Sequence, residues 1–169
     1  MELNLQLASA EATDALGAAL ARAWDGEPMV VYLQGELGAG KSTLARALLR
    51  ALGVEGAIRS PTYTLVERYP LAHGEAVHLD LYRIAAQGEL EFLGLEDLRS
   101  EAALWLVEWP ERGGAALPAP DLQIGLAREA SGRRVELRGT SEKAASWLGA
   151  LSKMAASSPS IQENPRKVL

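Results

Sequence analysis

Apolar and polar positions along the chain predict strands that alternate with helices. Residues 3–7 place leucine at every second position, which is typical of a half-buried strand. Ser9 then begins a predicted helix with apolar residues on one side, which ends before Gly26. The continuous apolar run 29–33 predicts a strand buried within a parallel sheet. A second helix is predicted over 43–52, ahead of a glycine that ends it.

The same alternation continues further along the chain. Shorter runs predict strands at 63–69, 76–82, 103–107, 122–127 and 133–137. Amphipathic stretches predict helices at 87–98, with a break at Gly94, and at 141–151. These elements predict an α/β fold with a central, mostly parallel sheet flanked by helices. In such folds ligands bind beyond the carboxyl ends of the strands.

Length and composition predict one soluble domain. The 169 residues suit a single domain, which we place at 1–151. Residues 152–169 are polar and contain two prolines, so we predict a flexible C-terminal tail there. The chain has no cysteine, no basic and apolar leader, and no apolar run long enough to span a membrane. We therefore expect a cytoplasmic protein without a membrane partner. The formal charge of −5 argues against a broad basic face for nucleic acid.

The most specific motif is a phosphate-binding loop. Residues 35–42 read GELGAGKS and match G-x-x-x-x-G-K-[ST] between a predicted strand and a predicted helix. Its three glycines allow backbone angles that turn successive N–H groups toward anionic oxygens. Lys41 supplies a charge for the β- and γ-phosphates, and Ser42 supplies a hydroxyl for magnesium. The loop predicts a P-loop NTPase that binds ATP with Mg²⁺.

Two carboxylates end predicted strands where such a site needs acidic groups. Asp80 follows Val77-His78-Leu79, and Glu108 follows the apolar run ending at Val107. We assign Glu108 to magnesium, directly or through water, and Asp80 to a second metal position or to the group that orients water. The sequence leaves the order of these roles open. A solvated charge at a strand end is the simpler alternative for each.

Three other kinds of residue are weaker candidates. Thr62, in the turn after Ser60-Pro61, lies where P-loop switches often place a threonine near the γ-phosphate, although a plain turn threonine is an alternative. Trp109 could pack near the nucleotide or a partner, or simply in the core. Histidines 73 and 78 lack a third ligand type nearby, so a zinc site is not expected. A small basic group late in the chain could face the nucleotide or solvent: Arg128, Arg133 and Arg134.

Taken together, these residues resemble the TsaE family (also called YjeE), the small ATPases of tRNA threonylcarbamoyladenosine biosynthesis. The resemblance covers about residues 5–139. The matching stretches are GELGAGKST at 35–43, SPTYTLV at 60–66, HLDLYRI at 78–84, ELEFLGLED at 89–97 and LVEWPE at 106–111. Glu36 stands where the family often has Asp, and Ser42 where Thr is common. The residues beyond 151 match nothing in the family.

The resemblance implies a weak ATPase that works with the TsaB and TsaD proteins. ATP hydrolysis would reset that pair, of which TsaD transfers threonylcarbamoyl to adenosine 37 of tRNAs reading codons that begin with A. Contact with tRNA itself would be only indirect.

The resemblance also implies roles for individual residues. Phosphate and magnesium would be served by Lys41 and Ser42, metal and hydrolysis by Asp80 and Glu108, and a switch-like loop by Thr62. The nucleotide region would include Gly35, Glu36, Leu37, Gly38, Ala39, Gly40, Thr43, Trp109 and, less securely, Thr13 and Arg133.

Two other functions fit a P-loop. A small-molecule kinase usually carries several arginines on a lid over the phosphates, and residues 111–120 contain only Arg112. A GTP-operated switch commonly has an Asn-Lys-x-Asp element, and the only asparagines here are Asn4 and Asn164. The kinase is therefore the stronger alternative to the accessory ATPase.

Overall fold

The computed structural model describes residues 1–164, apart from the side chains at positions 87, 100 and 101. Within this range the strands are β1 Glu2–Leu7, β2 Met29–Gln34, β3 Val66–Pro70, β4 Glu75–Asp80, β5 Ala102–Glu108, β6 Leu122–Glu129, β7 Gly132–Gly139 and β8 Ile161–Glu163. The α-helices are α1 Ala10–Ala23, α2 Lys41–Ala51, α3 Leu95–Glu101 and α4 Glu142–Ala155. Short 3-10 helices cover Gln87–Leu93, Pro110–Arg112 and Gly114–Ala116. No helix in residues 1–164 is long and apolar enough to cross a membrane.

All of these strands form one sheet in the order β3-β4-β5-β2-β6-β7-β1-β8. The central strands β4, β5, β2 and β6 run parallel to one another. The pairs at both edges, β3 with β4 and the series β6, β7, β1 and β8, are antiparallel. The predicted α/β class is confirmed, with its parallel part confined to the four strands at the centre. The carboxyl ends of those strands therefore meet at one edge of the sheet.

Helices cover the two faces of the sheet, and each face has its own core. Helices α1, α2 and α4 pack on one face together with alternate residues of the central strands, such as Leu104 and Leu106 of β5. Trp105 and Val107, which alternate with these leucines along β5, belong to the other face. The segment from Gln87 to Glu101 covers that face. This period-two division follows from strand geometry.

Helices α1 and α4 begin after serine caps, and α1 packs closely against α2. Ser9 caps α1 by accepting a hydrogen bond from the Ala12 backbone N–H at 3.3 Å. Ser141 caps α4 in the same way through Ala144. Gly17 lies so close to α2 that a Cβ there would stand 2.5 Å from the Cβ of Ala47. The absence of a side chain at position 17 thus lets α1 lie directly on α2.

Two predicted elements differ in the structure. The strand predicted over 63–69 begins only at Val66, because Pro61 starts a turn that the Leu65 N–H closes at 2.7 Å on the Pro61 carbonyl. Leu65 itself has a φ of 67°. The helix predicted over 87–98 breaks at Gly94 as predicted, with a φ of 64°, but its first part, Gln87–Leu93, is a 3-10 helix rather than an α-helix.

The folded domain extends beyond residue 151, where the sequence predicts its end. Helix α4 continues to Ala155, and β8 pairs antiparallel with β1 through Leu5, Gln6 and Leu7. The Ile161 side chain is only 2% exposed. The folded domain therefore includes the segment up to 163, and the remainder of the predicted tail, 165–169, lies outside the described residues.

Candidate functional site

The phosphate-binding loop joins the end of β2 to the start of α2, between two parallel central strands. Gly35 has a φ of 147°, and a Cβ there would lie 2.3 Å from the Leu126 carbonyl oxygen of β6. Gly40 precedes α2 with a φ of 111°. Both positions require glycine for backbone angle, and Gly35 also for space. The first turn of α2, beginning at Lys41, leaves backbone N–H groups without intrahelical partners beside the loop.

Lys41 lies inside the loop rather than in solvent. Its side chain donates to the backbone carbonyls of Gly35 at 2.6 Å and Glu36 at 2.9 Å, and the residue is 4% exposed. The ammonium also lies 4.5 Å from the ring centre of Trp109. Burial lowers the pKa of Lys41, while the nearby Glu108 and Asp80 carboxylates oppose that shift. These contacts fix the position of the ammonium within the loop.

Glu108 is held by two different donors. Its Oε1 accepts a hydrogen bond from the Ser42 hydroxyl at 2.8 Å, and its Oε2 lies 2.7 Å from Nε2 of His78. Glu108 is 2% exposed and His78 is fully buried. The first of these bonds links the start of α2 to the end of β5 and places the two residues predicted for magnesium next to each other.

Asp80 connects the end of β4 to the turn that carries Thr62. Its Oδ2 accepts from the Thr62 hydroxyl at 3.1 Å, and its Oδ1 accepts from the Tyr82 backbone N–H at 3.0 Å. The Thr62 hydroxyl also lies 2.8 Å from that of Ser60. The turn is therefore linked to the same carboxylate edge as the loop, rather than standing apart in solvent.

Trp109 occupies a left-handed backbone conformation, with a φ of 56°, directly after Glu108. This turn brings its ring toward Lys41 and within 5.0 Å, centre to centre, of the Tyr82 ring. The guanidinium of Arg112 lies 5.2 Å from the Tyr82 ring and 5.7 Å from that of Trp109. Trp109 is thus half-buried at the site instead of being enclosed in the core.

These groups line a cavity of about 230 Å³ at the carboxyl edge of the parallel strands. Its lining residues are Leu37, Gly38, Gly40, Lys41, Ser42, Thr43, Thr62, Asp80, Tyr82, Glu108, Trp109 and Arg133. An adjoining cavity of about 430 Å³ shares Leu37 and Trp109, and its walls include Gly35, Glu36, Ala39 and Arg128. All but one of the residues predicted for the site therefore line one of these two cavities.

Thr13 is the exception. It lies in α1, is 1% exposed, and has no hydrogen-bond partner for its hydroxyl within residues 1–164. It is not part of the lining of either cavity. Arg133, by contrast, lies against Gly40, with Nε 3.0 Å from where a Cβ on that glycine would stand. Arg134 forms ion pairs with Glu129 at 3.3 Å and Glu136 at 3.6 Å, away from the cavity lining.

The oxygen donors at the cavity suit a magnesium ion better than a transition metal. Mg²⁺ binds through one or two carboxylates plus substrate phosphates, and Ser42, Asp80 and Glu108 provide a hydroxyl and two carboxylates. No group of three His, Cys, Asp or Glu side chains suited to a metal occurs in the described part of the chain. The donor set therefore fits an ion that completes its coordination with phosphate and water.

Comparison with known proteins gives the family. The model of the family described as "Threonylcarbamoyl adenosine biosynthesis protein TsaE" matches residues 7–135. The chain belongs to the TsaE family. A curated TsaE from Haemophilus influenzae is 44% identical over 109 residues, which cover 64% of this chain and 69% of that protein. The Bacillus subtilis TsaE is 34% identical over 105 residues, covering 62% of this chain and 65% of that protein. Both are named tRNA threonylcarbamoyladenosine biosynthesis protein TsaE.

A solved structure shares the fold. A crystal structure of Bacillus subtilis YdiB superposes with a TM-score of 0.76 at 24% identity, covering 91% of this chain and 96% of that one. This TsaE family member and that protein therefore share the same α/β fold.

Two contacts of this TsaE family member were not assigned from its sequence. His78, considered only for a zinc site, is a hydrogen-bond partner of Glu108, and Tyr82 packs on Trp109. His78 and Tyr82 each lie two positions from Asp80, along and just beyond β4. Because side chains two positions apart in a strand point to the same face, this spacing could have indicated that both residues lie near the site. The spacing does not reveal the partner, which depends on the register between β4 and β5.

Proposed function

We propose that this TsaE family member binds ATP with Mg²⁺ at the cavity, hydrolyses it slowly, and serves tRNA threonylcarbamoyladenosine biosynthesis as an accessory ATPase. The observation that carries the proposal is the convergence of the loop residues Lys41 and Ser42 with the carboxylates Asp80 and Glu108 around one cavity. The curated relatives named for this pathway support the biological setting.

Each loop residue has a distinct task in binding. Lys41, already held by two loop carbonyls, supplies a positive charge to the β- and γ-phosphates. The backbone N–H groups at the start of α2 and in the loop cradle the phosphate oxygens. Because Arg133 also lines the cavity, a second cation is available to the phosphates or the ribose.

Ser42, Glu108 and Asp80 would hold the magnesium. When bound, the ion neutralises charge that develops on the phosphates during their transfer to water. The residues of the chain prepare for it, since Ser42 and Glu108 are already joined at 2.8 Å and Asp80 stands at the paired position of the adjacent strand. Thr62 is hydrogen-bonded to Asp80. It would either orient the attacking water or bind the γ-phosphate, so that the conformation of its turn depends on whether that phosphate is present.

Partner proteins are proposed because the rim of the cavity exposes apolar side chains. Leu37, at the tip of the loop, is 68% exposed, and Tyr63, beside Thr62, is 79% exposed. Exposed apolar groups that lie together can mark a site where another protein binds. We propose that TsaB and TsaD bind there and that hydrolysis resets them, with tRNA reached only through that pair.

Phosphate release by the purified chain tests the enzymatic part of the proposal. Mg²⁺-dependent release of phosphate from ATP should be slow. Unlabelled ATP should displace a bound fluorescent nucleotide at a lower concentration than GTP does. The absence of ATP binding, or rapid phosphate transfer to a small metabolite without any partner, would contradict the proposal and favour the kinase.

A further inference from the structure

His78 is fully buried next to the site, yet binding and hydrolysis as described above give it no task. It lies on β4 two residues before Asp80 and on the same face of the strand. Its Cα pairs with Leu106 of β5, so its ring meets the side chain of Glu108 two positions further along that strand. The Nε2 to Oε2 distance is 2.7 Å.

The two oxygens of Glu108 are divided between two donors. Ser42 donates to Oε1, and His78 Nε2 lies at hydrogen-bond distance from Oε2. A carboxylate only accepts, so Nε2 carries the hydrogen of this bond. Nδ1 of His78 is buried and has no partner within the described residues. An imidazole with its hydrogen on Nε2 leaves only a lone pair unpaired at Nδ1, which is the less costly of the two neutral forms.

This arrangement fixes the orientation of Glu108. With Oε2 committed to His78, rotation of the carboxylate would break a hydrogen bond in a buried place, which costs more than in water. Oε1 is thereby the oxygen that faces Ser42 and the cavity. A partner of this kind behind a ligating group is a common feature of metal sites and affects their affinity.

We propose that His78 is a positioning residue that holds Glu108 with Oε1 toward Ser42 and so sets the magnesium dependence of the site. The inference rests on the proposed function, because it assigns Glu108 to magnesium. The role proposed for His78 differs from a purely structural one. An apolar side chain could fill the same buried space, but it could not donate a hydrogen bond to Oε2 of Glu108.

The test compares His78→Leu with His78→Gln, whose amide N–H reaches about as far as Nε2. His78→Leu should lower kcat and raise the Mg²⁺ concentration that half-saturates the site by about 10- to 100-fold, the usual range for losing a partner of a metal ligand. Saturation is followed by the fluorescence of a bound ADP analogue, without turnover, as well as by hydrolysis. Magnesium-free ADP binding should stay unchanged, and His78→Gln should restore most of both losses.

The other histidine provides a matched control. His73 is exposed in the turn before β4, and His73→Leu should match the wild type in every measurement. Wild-type Mg²⁺ saturation in His78→Leu, or no recovery in His78→Gln, would overturn the inference. If His78→Leu does not fold, His78→Gln is compared with the shorter His78→Asn, and equal Mg²⁺ dependence of these two would overturn it. Failure of the wild-type chain to hydrolyse Mg²⁺-ATP would instead contradict the proposed function.

Discussion

Asp80 and Glu108 are Cα partners at the carboxyl ends of the neighbouring parallel strands β4 and β5. Their side chains reach different elements: Asp80 accepts from Thr62 in the turn before β3, and Glu108 accepts from Ser42 at the start of α2. Through adjacent strands, the two carboxylates therefore connect the helix that follows the phosphate-binding loop with the turn at 61–65.

Replacement of Lys41 tests nucleotide binding. Lys41→Ala removes the ammonium from the loop, and loss of a hydrogen bond to a charged group costs about 1.5–3 kcal/mol, or about 10- to 100-fold in affinity. ATP binding, measured by isothermal titration calorimetry, should weaken by at least this factor. Lys153→Ala, an exposed position on α4, is the control and should bind as the wild type does. Unchanged ATP affinity in Lys41→Ala would show that the loop does not hold the phosphates.

Replacement of Glu108 separates binding from turnover. Glu108→Gln keeps the size of the side chain but removes the charge assigned to magnesium, so turnover should fall by about 100-fold, or about 2.7 kcal/mol of the charge stabilisation that a bound metal ion supplies. ATP binding should be affected much less than in Lys41→Ala. Steady-state phosphate release and calorimetry measure the two effects, and Glu55→Gln in the exposed turn after α2 is the control. Wild-type turnover in Glu108→Gln would exclude the role assigned to this carboxylate.

The turn at Thr62 offers a matched pair of threonines. Thr62→Val removes the hydroxyl that donates to Asp80, whereas Thr62→Ser keeps it. Hydrolysis should fall by about tenfold in the valine variant, equal to about 1.4 kcal/mol of lost stabilisation, and recover in the serine variant. Thr64→Val removes a hydroxyl that bonds Glu67 at 3.0 Å in the exposed part of the same segment, and it should retain wild-type rates. Equal rates in Thr62→Val and Thr64→Val would mean that Thr62 is an ordinary turn residue.

The last strand is predicted to contribute to stability but not to nucleotide binding. Ile161→Ala truncates a side chain that is 2% exposed in the core beneath β1, so the free energy of unfolding should fall by about 2–4 kcal/mol. Urea denaturation followed by circular dichroism measures the change. The neighbouring Gln162→Ala, at an exposed position, should change it by no more than about 0.5 kcal/mol. Similar values for both variants would indicate that β8 does not stabilise the domain.

Much of the central sheet could be predicted from the sequence, because its strands are buried on both faces and read as continuous apolar runs. The apolar runs predict β2 and β5 within one residue at each end. The loop motif predicts a helix directly after β2, which is α2. The outer parts were harder to predict. β8 has a single large apolar residue, Ile161, in a polar segment, and its strand form depends on pairing with β1.

The location of the site could be predicted more fully than the hydrogen bonds among its residues. Lys41, Ser42, Asp80 and Glu108 are specified by motif and by position at strand ends, and the structure brings them together. The hydrogen bond between His78 and Glu108 could not be predicted, since it depends on the register of two strands that are 30 residues apart in sequence. The alternation at 63–65 resembles strand, but these residues continue the turn predicted at 60–62, because the Leu65 N–H bonds the Pro61 carbonyl.

The most direct test of the account is the rate of Mg²⁺-dependent phosphate release from ATP with and without purified TsaB and TsaD. The chain alone should release phosphate slowly, addition of both proteins should accelerate the release severalfold, and Glu108→Gln should remain slow under both conditions. Release that is unaffected by the two proteins, or a Glu108→Gln variant that is stimulated as strongly as the wild type, would contradict a partner-controlled ATPase site built on Lys41, Ser42 and Glu108.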